Sequence, residues 1–119
     1  MKNLYEIKNK IITNENIKEN ELETFIKYIN NITDEVLQYT NKKYDYSKIN
    51  LANEILWSHN INSNMYKEKN HYYCIFEINN KNFIYDPSFK DNKITKLKEN
   101  KYIEYDKYYK EYLKIIRGV

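Results

Sequence analysis

A chain of 119 residues can bury one hydrophobic core but not two, so a single domain over residues 1–119 is expected, and its 20 basic and 17 acidic residues, with no basic block, support nucleic acid only weakly as a partner. The only glycine, Gly118, excludes a Gly-rich phosphate loop or dinucleotide turn, and one cysteine and two histidines without metal-ligand spacing leave no cofactor or metal centre to expect. Apolar residues fall in short groups, none near the run of about 18 that a membrane span needs, and the N-terminus lacks the apolar centre of a secretion signal, so a cytoplasmic protein with no membrane partner is expected.

Leu4, Ile7, Ile11 and Ile12 recur at helical spacing and predict a short first helix, broken by the polar stretch from Thr13 to Asn20. Leu22, Phe25, Ile26, Ile29, Ile32, Val36 and Leu37 then form the stripe of a longer helix that packs one side on a core. The polar segment NKKYDYS reads as a loop, after which Ile49, Leu51, Ala52, Ile55 and Leu56 predict a third helix with Ser47 as its N-cap. His59, following Trp57 and Ser58, reads as a cap on the end of that helix.

Beyond Asn60 the period changes. INSNMYKEK reads as a strand, and HYYCIFEI, rich in β-branched and aromatic residues, predicts another. Asn tolerates positive φ, so Asn79 and Asn80 suit a two-residue hairpin turn into KNFIYD, which Pro87 ends. ITKL adds a short strand to the expectation, and Tyr105, Tyr108, Tyr109, Tyr112, Leu113 and Ile116 predict an amphipathic C-terminal helix. The 14 tyrosines mostly follow helix or strand periodicity, which makes them packing residues before base-stacking platforms. The fold class is therefore α+β: N-terminal helices packed on a small antiparallel sheet with a hairpin at about 70–86, and a C-terminal helix.

With a two-residue turn, Ile78 faces Lys81, Tyr73 falls opposite Asp86, and His71 is diagonal to Asp86. Alternation places His71, Tyr73, Ile75, Ile84 and Asp86 on one face and Tyr72, Cys74, Phe76, Phe83 and Tyr85 on the other. A carboxylate beside an imidazole fixes its tautomer and favours its protonated form, the orienting half of a nucleophile, base and orienter triad. Cys74 points away from His71 and reads as a small buried hydrophobe. Ser47, at a helix N-terminus whose free N–H groups would stabilise an anion, is the better placed nucleophile, although an N-cap role also explains it. The pair His71 and Asp86 has a structural reading too, as a bond that steadies the hairpin.

Residues 47–56, SKINLANEIL, followed by residues 71–89, HYYCIFEINNKNFIYDPSF, resemble the papain-like and transglutaminase-like superfamily over about residues 36–89. In that superfamily a Cys opens a helix, a His starts a strand, and an Asp ends the next strand, often before Pro. The resemblance implies acyl transfer or amide hydrolysis with Ser47 at the nucleophile position, His71 as base, Asp86 as orienter and Gln38, upstream of the helix, as an oxyanion donor. A hydroxyl is far less acidic than a thiol, so Ser in place of Cys implies an inactive form, an engineered replacement of the Cys or a serine enzyme. The alternative reading is a phage- or mobile-element-type protein that binds a protein or peptide partner through a Tyr-rich surface and catalyses nothing.

Overall fold

The computed structural model describes residues 3–39 and 44–118. Helix α1 (Leu4–Ile12) is capped by Asn3, whose Oδ1 accepts the Glu6 amide N–H at 2.9 Å, and it buries Ile7 and Ile11. Helix α2 (Glu19–Leu37) buries the expected stripe of Leu22, Phe25, Ile26 and Ile29. It starts in a turn that Glu21 organises: the carboxylate accepts the Lys18 amide N–H at 2.9 Å and pairs with Lys10 of α1 at 2.8 Å.

Helix α3 (Tyr44–Ser58) begins earlier than the apolar pattern suggests. Of the stretch read as a loop, residues 41–43 lie outside the described residues and residues 44–47 are helical. Ser47 is therefore not the N-cap; it sits one turn inside α3 and is buried. An acidic residue suits the positive end of a helix, so Asp45, which made the segment look like a loop, belongs to its first turn. At the other end His59 Nδ1 donates to the carbonyl of Ile55 at 2.8 Å, the expected helix-end cap.

Four antiparallel strands follow in spatial order β1-β2-β3-β4: β1 (Asn62–Glu68), β2 (His71–Ile78), β3 (Lys81–Tyr85) and β4 (Tyr102–Glu104). Ile78 pairs with Lys81 as the two-residue turn requires, and Asn79 and Asn80 both take positive φ, 52° and 65°. The expected strand at ITKL is not one. Asn92–Ile94 forms a 3₁₀ turn leading into helix α4 (Thr95–Asn100), and Ile94 and Leu97, three residues apart, are both buried on the helical period. The fourth strand is instead the three residues of β4, which pair Ile103 with Ile84 and Tyr102 with Tyr85.

The alternation of the hairpin divides the core in two. Cys74, Phe76, Phe83 and Tyr85 meet Phe25, Ile26, Ile29, Ile49 and Leu56 from the N-terminal helices. Tyr73, Ile84 and Ile103 meet Phe89, Ile94, Leu97 and Tyr112 on the opposite face. Helix α5 (Tyr105–Arg117) closes that second face: Tyr112 is fully buried and Tyr105, Tyr108, Tyr109, Ile115 and Ile116 pack around it. Among the described residues no helix is long and apolar enough to cross a membrane.

A candidate site around His71 and Asp86

Asp86 directly follows β3, and extending the hairpin register by one pair sets it opposite Tyr73 and diagonal to His71, the first residue of β2. His71 Nε2 and Asp86 Oδ2 are 2.6 Å apart. The same carboxylate oxygen accepts the Tyr112 hydroxyl at 2.8 Å, and Oδ1 accepts the Ser88 amide N–H at 3.2 Å in the turn through Pro87. The Asp86 amide in turn donates to the Lys101 carbonyl at 2.9 Å, so both neighbouring segments hold the residue in place. Asp86 is wholly buried, whereas the His71 side chain keeps 26% of its surface. A carboxylate acceptor assigns the Nε2 proton, which leaves Nδ1, with no hydrogen-bond partner among the described residues, as the nitrogen open to a third group.

The hydrogen bond to Asp86 raises the His71 pKa above its ordinary value against the opposing effect of burial, and the charges of Asp86 and Asp45 push the same way. Burial foremost, and then the Asp86 carboxylate, raise the Tyr112 pKa strongly, so its hydroxyl stays a donor. No family model, curated protein or solved structure matches the chain. What the site can do rests on its own geometry.

The α3 residue whose charge reaches His71 is Asp45, and its Oδ2 accepts the amide N–H of Tyr72 at 3.1 Å. Asp45, Ile49, Ala52 and Leu56 follow at steps of four, three and four, and the last three are fully buried towards the sheet. At about 100° per residue, Ser47 lies about 200° around α3 from Asp45, off the stripe that faces β2. The fold thus brings His71 and Asp86 together as expected and presents Asp45 from α3, with Ser47 turned to another side. Gln38 is exposed just beyond the end of α2.

Cys74 belongs to the opposite face, as alternation requires. It is fully buried, its Sγ 3.7 Å from the Ile49 carbonyl, and burial pushes its thiol pKa up to about 12. Sequence reasoning missed two members of the site, Asp45 and Tyr112. The four-three-four spacing from Asp45 to Leu56 was legible, but the polar composition of the segment obscured it. The link from Tyr112 to Asp86 spans 26 residues, and nothing local signals it.

Proposed function

We propose that this chain is a papain- or transglutaminase-like acyl-transfer scaffold in a silent form: it retains the base and orienter, His71 and Asp86, and lacks a competent nucleophile opposite them. The observation that carries this reading is the bonded His71–Asp86 pair, with Asp45 as the α3 residue whose charge reaches His71 and no thiol or hydroxyl bonded to that imidazole among the described residues. The Asp86 carboxylate favours the protonated form of this imidazole and the charge of Asp45 acts the same way, which suits an ion pair. In an active enzyme of this type the imidazole would instead face a thiolate, whose attack on a carbonyl it would assist as base and then as acid. With the nucleophile absent, the role left to such a cleft is to hold a peptide or acyl group without cleaving it, which joins this reading to the protein- or peptide-binding one.

The test places a thiol at each position in turn. In Asp45→Cys the new thiol should react with iodoacetamide at neutral pH faster than a free thiol, and this advantage should disappear when His71→Gln is added. In Ser47→Cys it should not. Thermal melts of both variants establish that the fold persists. Fast, His71-dependent alkylation of Ser47→Cys, or labelling of wild-type Ser47 by a fluorophosphonate, would instead make Ser47 the nucleophile and the chain a serine enzyme. Slow alkylation at both positions would leave His71 and Asp86 as a structural pair.

A further inference from the structure

At the far end of β2 from His71, about 23 Å along the strand, the segment between α1 and α2, the hairpin tip and the β4 edge enclose a cavity of about 230 Å³. Leu22, Ile78, Phe83 and Ile103 supply its apolar lining. Lys18, Lys81 and Lys96 also line it, against Glu19 and Glu104. Lys96 is paired with Glu19 at 3.2 Å, whereas Lys18 and Lys81 form no ion pair among the described residues.

Tyr102 provides an independent observation. It lines the cavity, is 3% exposed, and its hydroxyl is buried without a hydrogen-bond partner among the described residues. Glu23 and Glu19, from the start of α2, are near enough for their charges to act on that hydroxyl, and Glu19 and Leu22 form part of the cavity wall. Buried hydroxyls are almost always bonded, and a phenylalanine would pack against Phe83, 6.0 Å away ring to ring, without an orphaned donor. A tyrosine at this position makes sense if something entering the cavity accepts its hydrogen bond.

We propose that this cavity binds a small organic carboxylate with an aromatic or branched apolar body. The body rests on Leu22, Ile78, Phe83 and Ile103, the carboxylate pairs with Lys18 and Lys81, and the Tyr102 hydroxyl donates to an acceptor on the ligand. Size fits: an apolar cavity of about 150 Å³ already takes up benzene, so this one holds a ring and a short chain. The site is separate from His71 and does not depend on what the His71–Asp86 pair does.

The experiment titrates phenylacetate, hydrocinnamate and isocaproate into the isotope-labelled full chain, with hydrocinnamamide and inorganic phosphate as comparisons, and follows amide shifts by NMR. At least one carboxylate should give saturable shifts centred on Phe83, Tyr102 and Ile103, with the amide about tenfold weaker and phosphate without effect. Tyr102→Phe, shown by its melt to be folded, should weaken the best carboxylate about tenfold. Lys18→Gln combined with Lys81→Gln should erase the preference for acid over amide. Saturable binding by none of the three carboxylates, equal binding by Tyr102→Phe, or phosphate binding as well as the carboxylates would each overturn the proposal, the last by reducing the site to a surface cluster of lysines.

Discussion

Asp86 accepts hydrogen bonds from His71, Tyr112 and the Ser88 amide with no access to solvent, so water screens its charge only from the partly exposed His71 side. The consequence is a pH dependence with a definite sign. Because the folded state raises the His71 pKa above its ordinary value of 6.5, the stabilisation it confers is fully present below that value and is lost as pH rises through the folded-state pKa. Wild type should therefore exceed His71→Gln in urea-unfolding stability by more at about pH 5.5 than at about pH 9, and NMR titration should show the His71 pKa falling in Asp86→Asn. An advantage that grows with pH would mean that His71 is held neutral. Cys74 makes the opposite case of a titratable group that burial silences. With its thiol pushed up to about 12, it should resist iodoacetamide at neutral pH in the folded chain and become alkylated once urea opens the core. The inertness of Cys74 was legible because strand alternation fixes its face. That Asp45 rather than Ser47 lies on the α3 stripe facing β2 is written in the spacing to Ile49, Ala52 and Leu56, but it can be read only once the helix is known to start before Asp45.

The β2–β3 hairpin was the most legible element, since its turn chemistry is local: two Asn residues at positive φ select the turn, and the turn sets every pair behind it. The two asparagines nevertheless differ. Asn79 Oδ1 accepts the Ile17 amide N–H at 2.9 Å and its Nδ2 donates to the Glu15 carbonyl at 3.0 Å, tying the hairpin to the segment before α2; among the described residues no side-chain bond of this kind involves Asn80. Asn80→Gly should therefore stabilise the chain by a few tenths of a kcal/mol through easier positive φ, whereas Asn79→Gly should cost about 1–2 kcal/mol despite the same backbone benefit. Urea-unfolding midpoints of the two variants check this, and equal shifts would reduce Asn79 to a turn former. The misread segments share a cause at this scale. ITKL is too short for its apolar spacing to separate strand from helix, and β4, at three residues, is too short to show alternation at all. Backbone pairing with β3 makes β4 a strand, and that pairing belongs to the sheet, not to the segment.

The molecule as a whole is a sheet with helices on both faces, and the His71–Asp86 site lies where the C-terminal layer meets the strand ends. Tyr112 joins the two: its ring lies between Tyr73 at 5.2 Å and Phe89 at 5.8 Å, and its hydroxyl reaches Asp86. If α5 is a full member of the core, Tyr112→Ala should cost about 3–5 kcal/mol by emptying that position. Tyr112→Phe, which loses only the bond to Asp86, should cost about 1 kcal/mol. A loss below about 1 kcal/mol for the alanine variant in the same unfolding assay would make α5 a loosely attached layer. Length, period and turn chemistry by themselves determined the α+β class, the hairpin register, and with it the meeting of His71 and Asp86, because each depends on forces acting over a few neighbouring residues. Only the tertiary structure decided the start of α3, the existence of β4, the presence of Asp45 and Tyr112 at the site, and the cavity at the far end of the sheet. Those features rest on contacts between distant segments, where the gain from burial and pairing outweighs the weak preference of each segment alone.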